Sequence, residues 1–200
     1  MIVDNMLFYG KMRLLAEKDI QTYQHSLRVG ALCRRMALHL HLDKKQTLQL
    51  VQGGCLHDIG KVGIPDEILN KSSALTAKEW EFMRLHPSIG MQMMQEHVHT
   101  NKEIMEIIHF HHERWNGEGY PNGLKGEEIP IFARICAIID TFDSMVSDRP
   151  YRKGLSFEAA EQELLLHSGK QFDSYLVDLF LKSFHSIGEE KPVADHFRRS

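Results

Sequence analysis

Apolar residues recur at helical spacing along most of the chain, and no stretch alternates apolar and polar positions long enough for a strand. Residues 1–19 read as a first helix, with Met6, Leu7, Met12, Leu14 and Leu15 available for packing. From Ile20 to Leu42, Val29, Leu32, Met36 and Leu40 mark one inward face. His25 precedes Val29 by four residues and so projects from that face. A third helix runs from Lys44 to His57, with Leu48, Val51 and Cys55 inward, and stops at Asp58-Ile59-Gly60, where glycine lets the chain turn. Residues 61–74 form a loop with a short turn at Pro65–Leu69. Thr76 with Glu79 forms a capping box for a helix reaching Leu85. Helices follow over Ser88–His97 and Asn101–His112, the second carrying Ile104, Ile107 and Ile108 inward and ending in His111 and His112. After a glycine-rich loop over Trp115–Pro130, Ile131–Val146 is the most apolar helix, interrupted by Asp140 and Asp143 on one side. A basic loop, Ser147–Lys153, leads to helices at Ser156–His167 and Phe172–Ile187. The expected fold is all-α, with no internal repeat.

Length and composition suit a single domain with small additions: 200 residues, 42% hydrophobic and 26% charged. A net charge of -3 gives no basic footprint and excludes broad nucleic-acid binding. No apolar run reaches membrane-spanning length, and the first residues lack a signal-peptide pattern. Cys33, Cys55 and Cys136 are odd in number, far apart and set among apolar residues, so they read as reduced, buried thiols of a cytoplasmic protein.

The unusual count is 13 histidines. Taken singly, an inward histidine is more often a hydrogen-bonded core residue than a ligand, and His39, His41, His97, His99, His109, His167, His185 and His196 keep that reading or lie on the surface. His25, His57, Asp58, His86, His111, His112 and Asp140 differ, because each falls at the end or on the inward face of a helix. Five imidazoles and two carboxylates suit first-row transition metals such as iron or manganese, and the set lacks the thiolates of structural zinc sites. Burying it without a metal leaves several polar groups unsatisfied, at about 1–3 kcal/mol each.

The ordered pieces are Leu56-His57-Asp58-Ile59-Gly60-Lys61-Val62-Gly63-Ile64-Pro65, His86-Pro87, His111-His112-Glu113 leading to Gly119-Tyr120-Pro121, Asp140-Thr141-Phe142-Asp143, Arg149-Pro150-Tyr151-Arg152 and Phe172-Asp173. With His25 upstream, they resemble the HD-GYP subfamily of the HD superfamily of metal-dependent phosphohydrolases. The resemblance implies an HD-domain helical bundle over residues 20–188, with residues 1–19 as a helical extension and 189–200 as a polar tail. It implies hydrolysis of cyclic di-GMP to pGpG and onward to GMP by a hydroxide between two metal ions, with iron or manganese as the metal. His25, His57, Asp58 and Asp140 would hold one metal; Asp58 would bridge to a second, held by His86, His111 and His112. Some members bind a third metal through a glutamate four residues before the first histidine. Here that position is Gln21, a poor ligand, so a binuclear centre is expected.

Further residues acquire roles in that setting. Lys61, one helical turn beyond His57, would reach a phosphate oxygen or the leaving oxygen as a point charge. Tyr120 would stack on a guanine or touch a phosphate. Arg149 and Arg152 would fork onto phosphate oxygens. Asp143 would orient a ligand histidine or a metal water, and Trp115 is as readily core as substrate platform. Cyclic GMP-AMP or linear pGpG are alternative substrates. A non-catalytic module docking a diguanylate cyclase or regulatory domain is a different class, and the intact ligand set argues against it. The same histidines and the Gly-Tyr-Pro loop argue against a general nucleotide phosphohydrolase. Such domains are commonly fused to receiver or sensor domains, and none is present, which makes the chain a stand-alone protein or an excised domain.

Overall fold

The computed structural model describes residues 5–95, 101–148 and 153–185. Helices α1 (Asn5–Lys18), α2 (Ile20–His39) and α3 (Lys44–Leu56) come first. A 3-10 turn (Ile59–Gly63) and the one-turn α4 (Asp66–Leu69) lead to α5 (Ala77–Met83), α6 (His86–Gln95) and α7 (Lys102–Phe110). A second 3-10 turn (Gly126–Glu128) precedes α8 (Ile131–Val146), α9 (Phe157–Leu166) and α10 (Ser174–His185). No strand forms among the described residues; one isolated bridge joins Ser168 and Phe172.

The helix starts follow local chemistry. The Asp19 side chain accepts the amides of Gln21 and Thr22, and Asn101 those of Glu103 and Ile104. Full capping boxes open α3 (Asp43 with Gln46) and α5 (Thr76 with Glu79). Several boundaries differ from expectation by one to three residues, among them the ends of α5 at Met83 and α7 at Phe110 and the start of α10 at Ser174, and two have a plain local cause. Helix α2 stops at His39 rather than Leu42, because His41 turns into the left-handed region at a φ of 51°. Helix α6 opens at His86 rather than Ser88, since Pro87 needs no amide partner in a first turn.

Two apolar clusters form the core, and they meet along α3 and α7. One gathers Val29, Cys33 and Met36 of α2 with Leu50, Ile107, Ile135, Ile139, Leu164 and Phe180. The other joins Met12 and Leu15 of α1 to Leu56, Ile59, Met94, Ile104 and Ile108. Lys11, itself buried, ties α1 to α6 by donating from Nζ to the Met93 carbonyl at 3.0 Å. At 25 cal/mol per Å², burying residues of this size contributes about 1.5–3 kcal/mol each. That burial fixes the helix ends from which the site is built. Cys33, Cys55 and Cys136 are free and buried, as expected. Among the described residues, no helix is long and apolar enough to cross a membrane.

Candidate metal centre

The C-terminal ends of α3 and α7 and the N-terminal end of α6 converge on Asp58. His57 caps α3, His111 caps α7, and His86 opens α6. The 3-10 turn that carries Asp58 onward lies hard against α6. A Cβ on Gly60 would stand 1.8 Å from the His86 carbonyl oxygen, so only glycine permits the approach that brings Asp58 to His86.

Ring orientation is set from behind. Nδ1–H of His57 donates to the Gly54 carbonyl at 2.7 Å, that of His86 to Met83 at 2.8 Å, and that of His111 to Ile108 at 3.0 Å. His25 Nδ1 donates to Asp143 Oδ2 at 2.7 Å, and Arg28 holds the same carboxylate through Nε at 2.9 Å. Each of these four imidazoles therefore turns Nε2 toward the centre. His57 Nε2 is buried there without a hydrogen-bond partner. His86 Nε2 and His111 Nε2 face each other at 3.2 Å.

Asp58 divides its oxygens between two groups. Oδ1 lies 3.3 Å from His86 Nε2, whereas Oδ2 lies 3.3 Å from His57 Nε2 and 3.9 Å from His25 Nε2. Donor atoms of Asp58, His86, His111 and His112 fall within 4.8 Å of one another, as do those of His25, His57 and Asp58. Asp140 Oδ1 joins the second group, 3.0 Å from His25 Nε2 and 3.8 Å from His57 Nε2. Every ligand residue expected from the sequence is therefore at one place. A buried orphan nitrogen, a pair of opposed imidazole nitrogens and a shared carboxylate fit metal ions better than they fit hydrogen bonds.

The protonation states divide along the same line. Burial would lower His25, but its bonds to Asp140 and Asp143 prevail and raise the pKa to about 9. His57 is likewise opposed by burial and raised to about 9, chiefly by Asp58. Burial dominates on the other side, lowering His86 to about 3, His112 to about 4 and His111 well below its ordinary value. Those three present neutral lone pairs at neutral pH. Burial disfavours the charged carboxylates, yet Lys61 and His57 hold Asp58 far below the usual range, and His25 and His57 do the same for Asp140.

The centre opens into a cavity of about 590 Å³. Lys61 lines it and places Nζ 2.6 Å from Asp58 Oδ2. Tyr120 stacks its ring on His112 at 4.8 Å between centroids and lies under the Arg84 guanidinium at 5.3 Å. Burial pushes its hydroxyl above its ordinary range. Trp115 lies under the Arg134 guanidinium at 5.5 Å. Arg149 and Arg152 lie outside the described residues.

Sequence reasoning assigned no part to two residues that shape this site. Arg28 sits three residues after His25 on the same helix, and that spacing was a usable signal for its grip on Asp143. Glu113 is buried and accepts the amides of Asn122 at 2.7 Å, Gly123 at 3.1 Å and Leu124 at 3.1 Å, fastening the loop that presents Tyr120. Its place in the His111-His112-Glu113 segment that leads to the Gly-Tyr-Pro loop was the available signal. Gly119 lets the loop return, since a Cβ there would meet the Arg114 amide nitrogen at 2.3 Å.

The chain is similar to known proteins. The family model described as HD domain matches residues 11–176. A protein of Thermotoga maritima named cyclic di-GMP phosphodiesterase is 40% identical over 193 residues, covering 94% of this chain and 50% of that protein. A 3'3'-cGAMP-specific phosphodiesterase of Vibrio cholerae is 36% identical over 177 residues, covering 88% of this chain and 34% of that protein. The chain thus spans half or less of the length of these curated relatives. The solved structure of an HDG"Y"P protein from Bdellovibrio bacteriovorus superposes with a TM-score of 0.67 at 24% identity, over 84% of this chain and 53% of that one, a likeness of fold. With the model spanning most of the chain and the His-Asp centre in place, the chain belongs to the HD domain family.

Proposed function

We propose that this protein is a metal-dependent phosphodiesterase that hydrolyses cyclic di-GMP. The observation that carries the reading is Asp58, whose two oxygens face two separate donor groups on the floor of a cavity large enough for a nucleotide. His25, His57, Asp58 and Asp140 would hold one metal ion, and Asp58, His86, His111 and His112 a second. The imidazole and carboxylate set favours iron, with manganese as the substitute. Bound there, the two ions would supply Lewis acidity and an activated water for in-line displacement at phosphorus.

The chain's own residues would do the rest. The Nδ1–H bonds to carbonyls hold each ring in the tautomer that leaves Nε2 free. Asp143, clamped by Arg28, fixes His25 in the same way. Lys61 would bring its charge against a phosphate oxygen while steadying Asp58. Tyr120 would close the cavity beside His112. Arg149 and Arg152 would add guanidinium forks to the phosphates. Three unpaired thiols suit a reducing compartment, and we place the protein in the cytoplasm.

The relatives carry names for both cyclic di-GMP and 3'3'-cGAMP activity, so both substrates belong in the test. Protein loaded with iron or manganese without oxygen is incubated with each dinucleotide, and products are resolved by chromatography. Conversion of cyclic di-GMP to pGpG or GMP, abolished by chelation, is the expected result. Loaded protein that leaves both dinucleotides intact would overturn the reading.

A further inference from the structure

Helix α5 has an unusual makeup for its place. It is seven residues long and buries none of its side chains, yet it carries Trp80 and Phe82 about half exposed. Its position is set by polar groups instead. The Thr76–Glu79 capping box opens it, and Lys71 Nζ holds Glu79 at 2.6 Å. An indole with 48% of its surface exposed on such a helix contributes little to the core, which leaves its placement to be explained.

That placement is over the site. A second cavity, of about 290 Å³, lies beside the first, and the two share Trp80, His112, Tyr120 and Asp140 as lining residues. Leu75 and Met83 extend the apolar wall around Trp80 in the larger cavity. Tyr120 already has its ring engaged by His112 and by Arg84, one turn after Trp80. Trp80, by contrast, makes no ring or cation contact among the described residues.

We propose that Trp80 is the platform on which one purine base of the dinucleotide stacks, with Arg84 and Tyr120 forming the adjoining wall. The proposal rests on the phosphodiesterase reading and adds a base-binding residue to it. A cyclic dinucleotide whose phosphate lies against Lys61 and the metal ions that Asp58 would hold must lodge its bases in the flanking space, and an unpartnered indole face is the surface that binds any base by stacking. Stacking of this kind changes binding by roughly tenfold or more per base on truncation to alanine.

The test compares wild type, Trp80→Ala and Trp80→Phe, loaded with manganese, on cyclic di-GMP. Trp80→Ala raises KM about tenfold with a smaller change in kcat, and Trp80→Phe recovers most of the loss. Trp80 is about half exposed, so Trp80→Ala is expected to stay folded with at most a small drop in melting temperature, which thermal melts of both variants check. In parallel, Trp115→Phe leaves Trp80 as the sole indole, and its emission is followed within the first turnover on mixing with cyclic di-GMP. A saturable emission change supports stacking. An unaltered KM in Trp80→Ala with no emission change overturns it while leaving hydrolysis intact. An emission change without any hydrolysis overturns the phosphodiesterase reading and keeps the platform. Neither emission change nor hydrolysis overturns both.

Discussion

Nε2 of His57 stands 3.3 Å from Oδ2 of Asp58, wholly buried, and makes no aligned hydrogen bond. A buried polar atom left so costs about 1–3 kcal/mol, and several neighbours at this centre share the condition. A metal ion that binds the folded chain recovers that cost. Manganese at about 100 times its Kd is therefore expected to raise the melting temperature by about 5–10 °C, and a chelator to reverse the shift. Thermal melts with and without chelator check this; identical melts would contradict it.

The metal-free protein has a predictable pH optimum of stability. His25 and His57 are raised to about 9, so their contribution is complete below pH 6.5 and is lost as pH climbs toward 9. His86 and His112 are lowered to about 3 and 4, so the unfolded chain takes up protons first as pH falls below 6.5, and stability drops there too. Melting temperature in the presence of chelator should peak near pH 6.5. With metal bound, His25 and His57 must shed their protons, so metal affinity should rise between pH 6.5 and 9. A melting temperature rising steadily from pH 6 to 9 without metal would contradict the assignment.

Asp143 acts through His25. The Asp143→Asn substitution removes the charged acceptor of His25 Nδ1 and the partner of Arg28. Metal affinity should fall about 10–100-fold, as such outer partners of ligand histidines usually show. Arg28→Ala should cost less, because the arginine side chain is 46% exposed and water screens its loss. Competitive metal titration separates the two.

Glu113 fastens the Tyr120 loop from below. Its replacement by alanine strands the amides of Asn122, Gly123 and Leu124 and should destabilise the fold by on the order of 3 kcal/mol. Amide hydrogen exchange at those three residues should accelerate in Glu113→Ala while the amides of α3 and α8 keep their protection. Unchanged exchange in the loop would show that the carboxylate does not hold it.

Most of the helices were legible because they carry an apolar stripe, and several because they also have a local capping signal, as at Asp43 and Thr76. The ligand set was legible because His25, His57, His86, His111 and Asp140 all sit at helix ends or on inward faces. What the sequence did not disclose depends on tertiary approach. Glu113 stands in a segment that carries the resemblance, but its grip on a loop about ten residues on shows only in the folded chain. Trp80 lies on a helix with no apolar face to announce it, and only the position of α5 over the cavity gives it meaning. The stop of α2 at His39 reflects one residue's backbone turn rather than any change in the hydrophobic pattern.

The central claim is that Asp58 joins two metal ions into one hydrolytic centre. Metal content per chain, measured on wild type and Asp58→Ala side by side with cyclic di-GMP turnover, tests it most directly. Two metals in wild type, with content and turnover lost together in Asp58→Ala, is the predicted result. Full turnover in Asp58→Ala, or three tightly bound metals in wild type, would contradict it.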